Sequence, residues 1–118
     1  MKRRNHFRVS EHFDLDDFED PTTATVMLCD DLPTYLEAVQ ERFGHNIRIS
    51  SGYRTPAHNS TIGGAPTSYH LVGGAADLVP VTGRMDDLAA AANMIHDLYV
   101  INEGDHVHVH LRRLMPPS

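Results

Sequence analysis

Two short segments of the chain carry side chains that can hold a metal ion. Residues 68–77, with the sequence Ser-Tyr-His-Leu-Val-Gly-Gly-Ala-Ala-Asp, contain His70 and Asp77, and residues 105–110 contain three further histidines. Catalytic zinc usually takes three protein ligands of nitrogen and oxygen type and leaves a fourth position for water, whereas structural zinc is usually enclosed by four ligands rich in cysteine. Because Cys29 is the only cysteine, the sequence excludes a cysteine cage and favours two imidazoles with one carboxylate.

The first segment has a spacing that suits a turn between two ligands. Gly73 and Gly74 lie between His70 and Asp77, and glycine permits backbone conformations and close approaches that bulkier residues resist. A turn at the glycines would aim both side chains at one ion. Taken singly, Asp77 could instead cap an element or pair with a base.

The second segment leaves the choice of ligand open. Side chains alternate across a strand, so His106, His108 and His110 are expected on one face of a strand predicted at Val107–Leu111. By the same alternation, Asp105 would face away from His108, so this carboxylate must precede the strand proper. Histidines two residues apart are also common as ordinary polar residues on an exposed strand.

The elements that position these segments are predicted from hydrophobic periodicity and from breaker residues. A helix is expected over residues 30–43 with Gly44 as its end, and a second helix is expected from about Thr82 to about Leu98. Further strands are predicted at residues 46–50 and 75–79, and residues 56–68 are predicted to form a loop with at most one helical turn near His58. The predicted fold class is α+β, with a small antiparallel sheet flanked by helices in a single domain.

Length and composition set the class of protein. A chain of 118 residues, 41% hydrophobic and 22% charged, fits one globular domain. The formal net charge of -6 argues against broad binding to nucleic acid, which usually requires a basic surface. The sequence does not indicate an oligomeric state.

The ends of the chain suggest no targeting segment. Lys2, Arg3 and Arg4 form a basic tip, which we interpret as a solvated terminus, with attraction to an anionic wall polymer or to nucleic acid as the alternative. No apolar run approaches the ~20 residues that a membrane-spanning helix needs, and no apolar signal core follows the tip. We therefore expect a soluble protein without a signal peptide, with flexible ends at residues 1–6 and 115–118.

Taken together, the motifs resemble those of the zinc D-alanyl-D-alanine carboxypeptidases and the related L-alanyl-D-glutamate endopeptidases of phage lysins, in the lysostaphin, D-Ala-D-Ala metallopeptidase and sonic hedgehog group. The family's Ser-x-His-x-x-Gly-x-Ala-x-Asp element is present as Ser68, His70, Gly73, Ala75 and Asp77. Its second element, an acid three residues before the last ligand, is present as Asp105 and His108, and residues 51–55 look like its substrate-binding loop. The resemblance extends from about Phe7 to Leu114.

This resemblance implies a fold, a cofactor and roles for particular residues. The fold would be that of the hedgehog and D-Ala-D-Ala peptidases, and one zinc ion would activate a water molecule for attack on a peptide carbonyl. The implied roles are zinc ligation by His70, Asp77 and His108, general base catalysis by Asp105, transition-state stabilisation by His106, pairing of Arg54 with a substrate carboxylate, and a hydrogen bond from Ser68 to the substrate or to a ligand.

The implied substrate is the peptidoglycan stem peptide, which contains D-amino acids. Removal of a terminal D-alanine and cleavage of an internal bond both remain open, and a metal other than zinc is also compatible with the donor set. The simplest expected setting is a phage- or prophage-delivered protein, made in the cytoplasm and acting at the bacterial cell wall. The alternatives are a non-catalytic zinc-binding module that recognises the wall and a phage structural module.

Several candidate residues have plainer interpretations. Arg54 could form a surface ion pair, and Ser68 could be only a turn former. The role of His110 stays open. We assign no chemistry to the remaining histidines, which are His6, His12, His45, His58 and His96.

Overall fold

Four antiparallel strands form the single sheet found among residues 4–116, which are the residues described by this computed structural model. The strands are β1 (Ile47–Ser51), β2 (Ala75–Pro80), β3 (Leu98–Asn102) and β4 (Val107–Leu111), in the order β1-β2-β4-β3. The helices are α1 (Leu32–Phe43), α2 (Pro56–Thr61) and α3 (Met85–Asn93), and short 3-10 turns lie at Leu15–Phe18, Tyr69–Val72 and Arg112–Leu114. The predicted α+β architecture with a small antiparallel sheet is confirmed.

The two faces of the sheet have different characters. Ala76 and Leu78 of β2 and Val107 and Val109 of β4 are fully buried in the same apolar cluster as the inner faces of α1 and α3. Complete burial of a valine or leucine side chain stabilises the fold by about 1.5–3 kcal/mol. Because side chains alternate along a strand, the residues between these core positions point to the other face. That second face carries the polar side chains of interest.

Helix α1 follows its predicted pattern closely. Pro33 lies in its first turn, and Gly44 ends it with a left-handed φ of +79° while its backbone N–H donates to the Gln40 carbonyl. The Gln40 side chain accepts a hydrogen bond from the Ile47 N–H at 2.9 Å. The end of α1 is thereby connected to the beginning of β1.

The region after α3 differs from its prediction. The second helix ends at Asn93 rather than near Leu98, and Leu98 begins β3, a strand that was not predicted. The run Leu-Tyr-Val-Ile-Asn is rich in aromatic and β-branched residues, which favour strands. Tyr99, which fits a helical stripe by spacing alone, instead lies opposite His110 in the β3–β4 pair. Helix α2, with six residues, is also longer than the single turn expected near His58.

The chain ends are described in part. Residues 1–3 and 117–118, including Lys2 and Arg3 of the basic tip and much of the chain expected to be flexible, lie outside the described residues. Asn5 is buried, and its amide donates to the Glu19 carboxylate and the Ala24 carbonyl, both at 2.8 Å. None of the helices among residues 4–116 combines the length and the apolar character that a membrane span requires.

Candidate metal centre and active site

Strand pairing brings two of the three predicted ligands together. In the β2–β4 pair, Asp77 lies directly opposite His108. Both side chains point away from the helix-covered face, because their neighbours Ala76, Leu78, Val107 and Val109 occupy the core. The distance between Asp77 Oδ1 and His108 Nδ1 is 3.1 Å.

The third predicted ligand, His70, is placed by the 3-10 turn Tyr69–Val72. The Ser68 hydroxyl begins this turn by accepting a hydrogen bond from the His70 N–H at 3.2 Å. Gly73 ends the turn with a φ of +73°, and a Cβ atom at this position would lie 2.3 Å from the Met27 carbonyl oxygen. Only glycine satisfies both the left-handed conformation and the close approach.

The three candidate ligands form a compact group. One donor atom from each of His70, Asp77 and His108 lies within 4.8 Å of the other two. His70 Nδ1 donates to the Gly52 carbonyl at 2.6 Å, and a carbonyl can only accept, so the neutral ring presents the lone pair of Nε2. That atom lies 3.3 Å from Asp77 Oδ1, and it is buried without a hydrogen-bond partner within the described part of the chain. With the ring neutral, two lone pairs face each other here, and a metal ion between them would satisfy both, so the donor set fits a metal ion.

The Asp77 carboxyl is ionised by its surroundings. Its burial alone would raise the pKa, but the close imidazoles of His108 and His70 outweigh burial and hold the pKa below its ordinary value. The second carboxylate oxygen, Oδ2, accepts from the Arg54 guanidinium at 3.0 Å. A carboxylate that stays charged is the form that binds a cation.

Arg54 is largely buried, and its contacts in the site differ from the predicted pairing with a substrate carboxylate. Its guanidinium contacts Asp77 and also donates to the Ser51 hydroxyl at 3.1 Å and to the Asn59 side-chain carbonyl at 3.4 Å. The side chain is 13% exposed and lines the cleft. Arg54 is therefore no surface ion pair, and within the protein it holds a predicted metal ligand.

Asp105 is connected to the site by its hydrogen bond with the adjacent residue, His106. Its side chain is 87% exposed and does not belong to the cleft lining, and its Oδ1 accepts from His106 Nδ1 at 2.6 Å. The other ring nitrogen of His106, Nε2, lies 3.7 Å from Asp77 Oδ1. Asp105 does precede β4, as strand alternation requires. The structure thus places the imidazole, rather than the carboxylate, against the candidate ligands.

A cleft of about 400 Å³ opens over these residues. Glu103, Tyr69 and His110 line it in addition to the predicted side chains Arg54, Ser68, His70, Asp77, His106 and His108. No sequence pattern singled out Glu103, which is an ordinary loop acid by type and position. Alternation along the strand did predict that His110 shares a face with His108. Its place in the cleft, however, depends on the neighbouring strand.

His110 is the most enclosed histidine of β4. It is 6% exposed, and its Nδ1 lies 2.8 Å from His108 Nε2. Burial lowers the pKa of His110 to about 4, with a further contribution from the positive charge that His108 can carry. The ring is therefore neutral at pH 7.

Two other groups of acids and histidines are less suited to a metal. His12 lies 2.6 Å from Glu37, whose carboxylate also accepts from the Ser10 hydroxyl and the His12 N–H. His6, Asp14 and Asp16 form the second group, in which Arg8 contacts Asp14 at 3.2 Å. Protein donors already occupy these carboxylates, so both groups are explained as surface hydrogen-bond networks.

Comparison with known protein families gives a match. A family model described as Peptidase M15 matches residues 10–111. No curated protein and no solved structure matches the chain. The matched range spans most of the sequence and contains both motifs as well as the elements that bring them together, and it confirms the resemblance to the zinc D-Ala-D-Ala peptidases. The chain therefore belongs to the Peptidase M15 family of metallopeptidases.

Proposed function

We propose that this protein is a zinc-dependent peptidase of bacterial peptidoglycan that hydrolyses stem peptides containing D-amino acids. The observation that carries the proposal is the buried, unpartnered Nε2 of His70 among the described residues, which faces Asp77 Oδ1 at 3.3 Å beside His108. Family membership supplies the reaction class. The substrate class follows from the resemblance of the motifs.

His70, Asp77 and His108 would hold the metal. Zinc bound by such a set lowers the pKa of a water molecule towards ~7 and polarises a carbonyl oxygen. The protein's part is to keep the donor atoms in place: Gly52 holds the His70 ring, and Arg54 holds the free oxygen of Asp77. Such outer contacts fix the orientation of ligands.

Asp105 and His106 would work as a pair that moves the proton. An ionised Asp105 holds the N–H of His106 Nδ1, which leaves the lone pair of Nε2 directed towards the candidate ligands. The imidazole can then accept the proton of the attacking water, and the resulting N–H can be donated to the leaving amine. Asp105 keeps its predicted importance to general base catalysis, but it would act through His106.

Arg54 and Ser68 would bind the substrate at the cleft wall. Arg54 retains a cationic edge in the cleft beside Asp77, and a planar guanidinium suits a carboxylate. The Ser68 hydroxyl uses a lone pair for the His70 N–H, so its own O–H remains able to donate to a substrate carbonyl. An arginine against a free carboxylate serves a carboxypeptidase and an endopeptidase acting on short stem peptides alike.

The test is digestion of purified muropeptides followed by mass spectrometry. Zinc-loaded protein should shorten them, a chelator should stop the reaction, and added zinc should restore it. The fragments distinguish loss of a terminal D-alanine from cleavage within the stem. Asp77→Asn serves as the control that lacks a ligand charge. Muropeptides left intact by zinc-loaded protein would instead favour a non-catalytic wall-recognition module.

The proposed biological setting is the bacterial cell wall, reached by phage or prophage delivery. Digestion of whole peptidoglycan sacculi, compared with digestion of soluble muropeptides, tests whether the protein acts on the assembled wall. A preference for sacculi would support a lytic role. Action on soluble fragments alone would oppose it.

A further inference from the structure

The His108 ring is held at both of its nitrogens. Nδ1 lies 3.1 Å from Asp77 Oδ1, and Nε2 lies 2.8 Å from His110 Nδ1. Because Nε2 is engaged by His110, the nitrogen of His108 that faces the other candidate ligands is Nδ1. The two candidate imidazole ligands would therefore bind through different atoms, His70 through Nε2 and His108 through Nδ1.

The hydrogen on His108 follows from this arrangement. A neutral imidazole that gives the lone pair of one nitrogen to a cation carries its proton on the other nitrogen. With Nδ1 directed at the cation, His108 Nε2 must be the N–H donor and His110 Nδ1 the acceptor. Gly52 gives His70 the same support through its carbonyl oxygen.

The surroundings of His110 prevent its ring from turning away. It stacks on Tyr99 with ring centroids 4.9 Å apart and planes 17° apart, and it contacts Tyr69 with centroids 4.3 Å apart. Tyr99 pairs with His110 across β3 and β4. Tyr69 is adjacent in sequence to the ligand His70, so the stack lies between the two candidate ligand segments.

Packing alone does not explain a histidine at this position. His110 Nε2 is buried and has no hydrogen-bond partner among residues 4–116, and an unpaired buried polar atom costs free energy. A phenylalanine would fill the aromatic stack without that cost. The polar contact that the histidine gains in return is the one with His108.

We propose that His110 is a positioning residue for the metal centre: its Nδ1 accepts the Nε2 hydrogen of His108 and so holds His108 in the tautomer whose Nδ1 can bind the metal. This inference rests on the proposed zinc site and extends it. Loss of such an outer hydrogen bond weakens metal binding by about 10- to 100-fold in comparable sites.

Zinc affinity, measured by competition with a chromophoric chelator, tests the proposal. His110→Phe keeps the aromatic stack and removes the acceptor, so its zinc Kd should rise about 10- to 100-fold. His110→Asn places an amide oxygen near the position of Nδ1 and should recover most of the affinity. His96→Phe, a change at an exposed histidine, is the matched control and should leave the Kd unchanged.

The outcomes separate this inference from the proposed function. If wild-type protein binds zinc and His110→Phe binds it equally well, or if His110→Asn is as weak as His110→Phe, the role of His110 is overturned. If wild-type protein binds no zinc, the proposed function fails with it. If zinc is bound but no muropeptide is cut, the proposed function alone fails.

A second measurement covers the case in which His110→Phe does not fold. Nitrogen-15 NMR of zinc-loaded wild-type protein reports which ring nitrogen of each histidine carries the hydrogen. The proposal requires hydrogen on Nε2 of His108 and on Nε2 of His110. Hydrogen on Nδ1 of His110 would overturn it.

Discussion

The Asp77 carboxylate contacts three other residues of the candidate site, His70, His108 and Arg54. Its Oδ1 lies within 3.3 Å of a nitrogen of His70 and of His108, and its Oδ2 accepts from Arg54. One oxygen thus faces the two candidate histidine ligands, and the other is fixed by the positive charge of Arg54. A carboxylate held in this way loses little freedom when a metal binds, which favours affinity.

The two adjacent histidines of the second motif should separate metal binding from turnover. His108→Ala removes a ligand and should weaken zinc binding beyond the roughly 10- to 100-fold loss expected for an outer contact. His106→Ala should keep zinc but lower turnover by about 10²–10⁴-fold, because general acid–base groups contribute on that scale. Metal content after dialysis and the rate of muropeptide cleavage measure both effects. Retention of zinc by His108→Ala would refute the ligand assignment.

Two acids near the cleft, Asp105 and Glu103, allow a test of which carboxylate supports proton transfer. Asp105→Asn should lower turnover by about 10²–10⁴-fold, because the amide no longer fixes the His106 tautomer, while zinc content stays unchanged. Glu103→Gln is the matched control: Glu103 lines the cleft but lies on the loop before His106. Its turnover should remain close to wild type. A larger loss in Glu103→Gln than in Asp105→Asn would make Glu103 the base.

At the residue scale, the sequence identified the group that the structure brings together but not all of its contacts. The resemblance of the motifs implied His70, Asp77 and His108 as ligands, and these three form one donor group. The contact between Arg54 and Asp77 and that between His108 and His110 depend on which strands pair and on their register. Such tertiary facts are not encoded in the spacing of a single segment.

At the element scale, the turn that carries His70 depends on Gly73. Both Gly73 and Gly44 have left-handed φ values, +73° and +79°, but only a Cβ at Gly73 would meet backbone atoms, those of Met27 and Leu28. Gly44→Ala should cost about 1–2 kcal/mol for the conformation alone. Gly73→Ala should cost about 1–3 kcal/mol more because of the steric overlap.

Denaturant unfolding of the two glycine variants compares their free energies of unfolding. Zinc affinity should also fall in Gly73→Ala, because the displaced turn moves His70, and should stay unchanged in Gly44→Ala. Equal destabilisation of the two variants would contradict the role of the close approach at Gly73.

The segment that carries Arg54 is held by a buried acid, Asp20. Its carboxylate is 0% exposed and accepts from the Thr55 N–H at 2.8 Å, from His58 at 2.9 Å, and from the backbone and hydroxyl of Thr22. Burial alone would raise the Asp20 pKa, but the donors from Thr22, Thr55 and His58 outweigh it and lower the pKa below its ordinary value. His58, to which we assigned no chemistry, is part of this structural network.

The lowered pKa of Asp20 makes a pH-dependent contribution to stability. The unfolded chain binds the proton more tightly than the folded one, so the contribution is complete above the unfolded pKa of roughly 4 and is lost as pH falls below it. Asp20→Asn should lower the free energy of unfolding at pH 7 by about 2–3 kcal/mol, the scale of a hydrogen bond to a charged group. It should also flatten the acid limb of the stability profile, although Asp77 retains its own contribution there.

Denaturant unfolding between pH 7 and pH 2 measures both effects of Asp20→Asn. Asp87→Asn, at an exposed position in the first turn of α3, is the control and should cost less than about 1 kcal/mol. An Asp20→Asn variant with the same acid limb as wild type would contradict the assigned network.

A helix or strand could be predicted where the sequence pattern that defines it lies within one short segment. A glycine stop predicted the end of α1, a short buried run predicted β2, and period-two alternation predicted β4. Their observed bounds agree with these predictions to within about two residues. β3 was missed because Ile95 and Tyr99 also fit the stripe of a helix. The choice is decided by pairing with β4, a contact that no local window contains.

At the scale of the whole molecule, the sheet separates the core from the candidate site. The apolar cluster lies between the sheet and the helices α1 and α3, and it consists of aliphatic and aromatic side chains with no candidate ligand among them. His70, Asp77 and His108 lie on the opposite face. The sequence alone predicted both groups, but not that one thin sheet would carry them on its two sides.

This separation predicts that the fold survives loss of the metal. The apolar cluster does not depend on the ion, so protein treated with a chelator should keep its far-ultraviolet circular dichroism and unfold cooperatively, while cleavage of muropeptides stops. Zinc should then raise the free energy of unfolding by binding linkage, by about 2.7 kcal/mol at a free concentration 100 times its Kd. Thermal unfolding across a zinc titration measures this increase. Unfolding on chelation would mean instead that the ion is needed to form the fold, and together with intact muropeptides it would favour a structural role for the site.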